Sequence, residues 1–176
     1  MSALVRPARP ADAAAIAAVH VTAWRETYAG ILPAETIAAR TFEDRLAIWS
    51  RAIPAATPAA PILVAEIEGE ALGFGMAAPQ RDADLLALGH TGEVWSLYLL
   101  RRAQGRGLGR RMLEALLAAL ASAGHASAAL WVVDGNPAAG FYAHAGGRPA
   151  LRRAGTAPGG LAETAFAWPL SPQRSA

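Results

Sequence analysis

The 176-residue chain contains no cysteine and no lysine. Without cysteine there is no disulfide framework, no thiolate zinc or iron–sulfur site and no covalent cysteine intermediate. That absence fits a cytoplasmic location. Without lysine there is no Schiff-base chemistry, and nothing to reach the phosphates of a nucleotide-hydrolysing P-loop. Charged residues make up only 17% of the chain, too few for a disordered or coiled-coil protein. No apolar run approaches the roughly 18 residues of a membrane span. The start, MSALVRPARPAD, lacks the apolar centre of a signal peptide. The four histidines stand apart, without the close spacing of metal ligands, so no metal site is expected.

What remains is the sequence of one globular domain, 53% hydrophobic with a mean hydropathy of +0.24. A chain of this length buries about two-thirds of its surface and needs no covalent staple. Its 16 arginines oppose 14 acidic residues, for a net charge of +2. So small an excess makes the placement of the arginines more informative than their number.

Leu4 to Arg6 reads as a short strand, and Asp12 as the cap of a first helix carrying Ile16, Val19, Val21 and Ala23. A second helix is expected from Pro33 or Ala34 through Trp49, burying Ile37, Phe42, Leu46 and Trp49. Ile62 to Glu68 and Ala71 to Ala77 read as a hairpin. The connector PQRDADLLALGHTG has the length of a mobile flap, although Leu85, Leu86 and Leu88 also suit a helical turn. A strand from Glu93 to Leu100 precedes GRGLG and a strongly periodic helix with Leu108, Met112, Leu116, Leu117 and Leu120, closed by Gly124. Ala128 to Val133 is a strand, Asn136 to His144 a short helix. Strands near 148–153 and 161–168 close the pattern. This order implies an α/β fold, a mixed and mostly antiparallel sheet of six to seven strands with helices on both faces. Residues 1–170 form a single domain in this reading, and 171–176 a frayed tail.

The segment GEVWSLYLLRRAQGRGLGRRMLEALL is a strand, a glycine turn and a helix. The glycines at 105, 107 and 109 match neither a dinucleotide fingerprint nor a Walker loop. They nevertheless let the backbone approach a ligand and turn several N–H groups inward at a helix N-terminus. Arg101, Arg102, Arg106, Arg110 and Arg111 add positive charge there. A phosphate or pyrophosphate ligand follows.

At these residues the chain resembles the bacterial type of the GNAT superfamily of acyl-CoA N-acyltransferases. Gln104-Gly105-Arg106-Gly107-Leu108-Gly109 completes the family's signature of Arg or Gln, two residues, Gly, one residue, then Gly or Ala. Leu97-Tyr98-Leu99 stands where the family's fourth strand carries a similar triplet. Asn136-Pro137-Ala138-Ala139-Gly140-Phe141-Tyr142 resembles its second cofactor motif, although Gly146-Gly147-Arg148 replaces the usual Gly-Phe ending. The resemblance spans about residues 3 to 169.

It implies a donor, acetyl-CoA, with its pyrophosphate over Arg106 to Gly109 and beside Arg110, and Gln104 bracing or contacting the turn. Pantetheine would pair with the backbone of Leu97 to Leu99 like an added strand. Asn136 would reach the same arm, or serve as an ordinary helix cap. Tyr142 would protonate the leaving thiolate, since a phenol is a proton source at neutral pH. An oxyanion donor is expected among the N–H groups of Leu97 to Leu99. Glu93, read by alternation onto the face of Trp95, Leu97 and Leu99, is the candidate base, with a water as the alternative and His20 and His144 behind it. His144 is expected to point elsewhere on its helix.

Trp24 and Tyr28 read either as core or as the wall of an acceptor cleft, where their rings would hold a cationic amine assisted by Glu26, Asp82 or Asp84. The implied activity is direct acetyl transfer, through a ternary complex, to a small amine, an amino compound or a peptide N-terminus. Two other readings stand beside it. One is a coenzyme A-binding module with little catalysis. The other is a nucleic-acid binder using the arginine cluster, although no aromatic–basic interleaving supports base stacking. A homodimer is compatible with the family resemblance.

Overall fold

Helix α5 (Leu108–Ser122) carries the periodicity read from the sequence, with Leu108, Met112, Leu113, Leu116 and Leu120 all buried on one side. In the computed structural model, which describes residues 3–171, that side packs on one sheet of seven strands. The strands are β1 (Ala3–Pro7), β2 (Ile62–Ile67), β3 (Glu70–Pro79), β4 (Gly92–Leu99), β5 (Ser127–Val133), β6 (Arg148–Arg153) and β7 (Glu163–Pro169). Their spatial order is β1-β2-β3-β4-β5-β7-β6. All neighbours are antiparallel except β4 and β5. The mixed, mostly antiparallel sheet with helices on both faces is therefore present. The tail beyond Ser171 lies outside the described residues.

On the α5 face the sheet contributes Leu63, Ala77, Val94, Leu130, Val132, Phe166 and Trp168, joined by α6 (Ala138–His144) through Tyr142. On the other face α1 (Ala13–Tyr28) lays Ile16, Ala17, Val19 and Ala23 against Val64, Leu72 and Phe74. Asp12 precedes α1 but does not cap it. Its carboxylate instead takes Arg6 at 2.7 Å and the Arg9 N–H at 2.7 Å.

The single second helix expected from 33 to 49 is two: α2 (Ala34–Ala38) and α3 (Phe42–Ala52). Thr41 Oγ1 accepts the Asp44 N–H at 3.2 Å and starts a new helix. Of the four residues expected to be buried there, only Trp49 is; Phe42 is 38% exposed.

The connector before β4 is not a loose flap. Leu85 of α4 (Ala83–Ala87) is fully buried against Ala129, Ala165 and Ala167. Asp82 caps α4 and accepts from the Trp131 indole at 3.1 Å and Arg153 at 2.7 Å. Burial pushes the Asp82 carboxyl up, but the Leu85 N–H and then Arg153 outweigh that and hold it below its ordinary value.

Candidate active site

The site begins where the parallel pair β4–β5 fails. Strands β4 and β5 are in register only at Gly92–Ala128 and Glu93–Ala129. Opposite this point the β3–β4 ladder shifts register, between Met76–Ser96 and Ala77–Val94, which leaves Trp95 as the extra residue of a bulge. Beyond the bulge β4 and β5 diverge.

A cavity of about 570 Å³ fills the opening, lined by Ser96, Leu97, Tyr98 and Leu99 on one strand and Leu130, Trp131 and Val132 on the other. Tyr28, the glycine turn, and Asn136, Phe141 and Tyr142 complete its lining.

The backbone of β4 is directed into that opening. The Leu100 N–H bonds to Leu72 O at 2.9 Å. In an antiparallel ladder alternate residues bond to the partner strand, so Tyr98 and Ser96 face β3. Leu97 and Leu99 turn their N–H and C=O groups toward the cavity. The Leu99 carbonyl is taken by Gln104 Nε2 at 3.0 Å.

The glycine turn ends at the N-terminus of α5. Gly105 and Gly107 have φ of +71° and +75°, with open space where a side chain would begin. Gly107 is the N-cap and offers no side-chain acceptor; the first helical bond runs from Arg111 N–H to Gly107 O. Among the described residues, the N–H groups from Gly105 to Arg110 have no acceptor within the protein. Unpaired donors at a helix N-terminus form an anion cradle.

The arginines around the turn are less available than their clustering implies. Arg101 bonds to the Glu26 carbonyl, Arg102 pairs with Glu70, Arg110 with Glu114, and Arg111 bonds to Ala3 O. Among the described residues Arg106 alone of the five makes no such contact.

Leu97, Tyr98, Leu99, Gln104 and Asn136 all border the cavity, as do Gly105, Gly107, Gly109 and Arg110. Leu108 is fully buried and offers only its backbone, while Arg106 lies outside the lining. Asn136 is already engaged twice. Its Oδ1 accepts the Ala138 N–H at 2.9 Å and its Nδ2 donates to Tyr28 Oη at 3.4 Å.

Tyr142 is fixed between Phe141, Phe166 and Trp168. Its hydroxyl has no hydrogen-bond partner among the described residues, and burial raises its pKa. The departure at Gly147 has a compensating partner. A Cβ there would meet the Trp168 ring at 2.6 Å, so the indole fills the space that a larger side chain at 147 would need.

Glu93 and Trp24 also lie elsewhere. Glu93 does not border the cavity. The bulge at Trp95 breaks the alternation, so Glu93 keeps register with Ala78 and Ala129 while Leu97 and Leu99 pack on the α5 side. Its carboxylate is held by Arg81 at 2.9 and 3.1 Å and by the Arg81 N–H at 3.2 Å. No lining residue carries a carboxylate.

Trp24 is buried behind Tyr28, ring centroids 4.2 Å apart, and the Arg40 guanidinium already lies 3.7 Å over its ring. That ring face cannot take a substrate cation. Glu26 and Asp82 are likewise committed, Glu26 to the Arg101 N–H at 2.7 Å.

Conversely, His144 does line the cavity, with Nδ1 at 2.6 Å from Gly140 O. Trp95, Trp131 and Thr27 join it. The two tryptophans were visible in the sequence only as strand residues, and Thr27 had no signal. His20 is not a base: it is enclosed by Trp49, Phe74 and Tyr98.

A split strand pair opening onto a bare glycine turn is the framework of an acyl-CoA N-acyltransferase fold. A model of the Acetyltransferase (GNAT) family matches residues 19–146, and the chain belongs to that family. The uncharacterized N-acetyltransferase YuaI of Bacillus subtilis (strain 168) is 34% identical over 143 residues, covering 78% of this chain and 76% of YuaI. The solved ribosomal-protein-alanine N-acetyltransferase of Brucella melitensis is 26% identical, with a TM-score of 0.73 over 95% of this chain and 99% of its own. YncA of Salmonella typhimurium, solved with its cofactor acetyl-CoA, shares the fold at 24% identity and a TM-score of 0.72. There the overlap is 100% of this chain and 98% of that one. No helix among the described residues is long and apolar enough to cross a membrane.

Proposed function

We propose that the protein transfers the acetyl group of acetyl-CoA directly to a primary amine within a ternary complex. The observation that carries this reading is the continuity of one cavity from the unpaired N–H groups of the glycine turn, along Leu97 to Leu99, to Tyr142. A thioester donor supplies an activated acyl carbon and a thiolate leaving group; the chain supplies binding, orientation and a proton.

The N–H groups of Arg106 to Arg110 would hold the pyrophosphate. Leu97 and Leu99 would pair with the two amides of the pantetheine arm, and a cavity-facing N–H there would stabilise the oxyanion. The Tyr142 hydroxyl is the proton donor for the leaving sulfur. Burial keeps it protonated, and it has no competing partner. With Glu93 outside the cavity and bound by Arg81, we assign the amine proton to water at the cavity mouth rather than to a carboxylate.

That same lack of a lining carboxylate favours one other reading, a coenzyme A-binding module with little catalysis. Binding nucleic acid through the arginine cluster is disfavoured, because four of its five guanidinium groups are engaged by the protein. The test is release of free thiol from acetyl-CoA across a panel of amines. Amine-dependent release that falls in Tyr142→Phe supports the transferase. Saturable acetyl-CoA binding without release from any amine supports the module.

A further inference from the structure

Two indoles line the cavity, one on each of the strands that part there. Trp95 is the bulge residue of β4. Trp131, on β5, packs with Leu85 and Ala129, on the sheet face away from α5. Thr27 and Tyr28, at the end of α1, line the cavity on that same face. Leu97, Leu99 and Tyr142 pack on the α5 side instead.

Among the described residues β4 and β5 pair only at Gly92–Ala128 and Glu93–Ala129. Ladder hydrogen bonds, which fix strand spacing in a regular sheet, therefore do not set it at the indoles. Each ring is only half-buried, so enclosure does not hold it either. Side chains from the connector before β4 do. The Arg81 guanidinium lies 3.5 Å over the Trp95 ring and is itself held by Glu93 at 2.9 and 3.1 Å. The next residue, Asp82, takes the other indole. Its Oδ2 accepts the Trp131 Nε1–H at 3.1 Å and Arg153 at 2.7 Å, and the Arg153 guanidinium lies 3.9 Å over the same ring.

The base of this pair is fixed. Gln80 is buried, and its Oε1 accepts the backbone N–H groups of both Arg81 and Asp82 at 3.0 Å. Asp82 Oδ1 caps α4, whose Leu85 is fully buried. One peptide unit separates the two Cα atoms, so neither indole can move away from the other without breaking an arm.

We propose that Arg81 and Asp82 are positioning residues for acyl transfer, forming a strut from Trp95 to Trp131 that sets the width of the opening between β4 and β5 and so the bulk of amine it admits. This rests on reading the cavity as an acyl-transfer site whose acceptor enters from the face opposite α5. Glu93 then serves by holding Arg81 over Trp95, not by taking a proton. Cutting either arm frees both indoles and widens the opening, while the glycine turn and Leu97 to Leu99 are untouched.

The test uses the full chain. With coenzyme A bound, the Trp95 and Trp131 indole N–H resonances are assigned from Trp95→Phe and Trp131→Phe, then compared in Arg81→Gln and Asp82→Ser. Serine retains a cap for α4 but is too short to reach Trp131. We expect each variant to shift both signals, including that of the indole its own residue does not touch. In parallel, kcat/KM is measured at saturating acetyl-CoA for primary amines graded in bulk from n-propylamine through benzylamine to diphenylmethylamine. The ratio of the bulkiest to the most slender should rise by about threefold to tenfold in either variant, the worth of one cation–π contact or hydrogen bond. Arg81→Lys, which keeps a cation near Trp95, should fall between. Acetyl-CoA affinity should hold in each variant, which also reports that it is folded. Asp82→Asn repeats the comparison if Asp82→Ser is not.

Shifts confined to the indole each residue touches would overturn the strut. So would a bulky-to-slender ratio that does not rise, because a merely structural role lowers all amines alike. Shifts of both indoles without thiol release from any amine retain the strut and remove the transferase reading. Amine-dependent release with shifts confined to the touched indole does the opposite.

Discussion

The side-chain amide of Gln104 donates to the Leu99 carbonyl at 3.0 Å, tying the entry of the glycine turn to the last residue of β4. The two backbone features proposed to bind the donor are thereby held in one geometry. Gln104→Ala removes a partly exposed hydrogen bond worth about 0.5–1.5 kcal/mol. Calorimetry should show acetyl-CoA binding weakened by about threefold to tenfold, with little change in thermal stability. Unchanged affinity would mean that the turn keeps its shape without this brace.

Gly107 supplies the left-handed backbone at the head of α5, with φ +75° and open space where a Cβ would sit. A Gly107→Glu variant has room for its Cβ, but pays roughly 1–2 kcal/mol for that conformation. It also places a carboxylate beside the six free N–H groups. It should remain folded, with Tm lower by about 2–8 °C, and give no heat with acetyl-CoA. Binding at wild-type strength would rule out the turn as the pyrophosphate cradle.

Tyr142→Phe isolates the proton donor. The ring stays packed on Phe166 and Trp168, and the lost hydroxyl has no internal partner, so stability and acetyl-CoA affinity should hold. Turnover should drop by about a hundredfold or more, the usual contribution of a positioned acid. Burial raises the phenol above its ordinary value of 10.0, so no loss of wild-type rate between pH 7 and 9 should trace to its ionisation. Equal rates in the two proteins would remove Tyr142 from the chemistry.

The parts of this site legible in the sequence are those whose physics is local. A glycine turn feeding a periodic helix requires glycines and leucines at fixed offsets, and Gly105, Gly107 and the α5 stripe lie where that pattern puts them. Glu93 was misplaced because counting alternate residues assumes an unbroken strand. The extra residue at Trp95 leaves no compositional trace. The break between α2 and α3 did leave one, Thr41 ahead of Asp44, but alanine on both sides preserves helix propensity across it. The surroundings of Trp24 come from Arg40, a contact made only when α1 and the α2–α3 segment pack together. Likewise, clustering along the chain did not reveal that Glu26, Glu70 and Glu114 engage the arginines near the turn.

Burial makes His20 a source of pH-dependent stability. Its enclosure among Trp49, Phe74 and Tyr98, followed by the charges of Arg45 and Arg40, pushes its pKa down from 6.5 to about 3. The Trp49 indole, which can only donate, requires an unprotonated Nδ1. Below pH 6.5 the unfolded chain takes up a proton that the folded chain refuses, so stability falls as pH falls from about 6.5 toward 3. Above that window the residue adds no pH dependence. Denaturant unfolding at pH 7.5 and 5.5 should show a loss of about 1.4 kcal/mol from this residue. Those pH values lie above the range in which Asp12 and Asp82, both held below their ordinary values, take up protons. His20→Phe keeps an aromatic ring in the cluster but leaves the Trp49 N–H without its acceptor. That cost is the same at both pH values, so the variant should be less stable throughout yet lose about 1.4 kcal/mol less on acidification. Parallel losses in variant and wild type would show that His20 is protonated in the folded protein at pH 5.5.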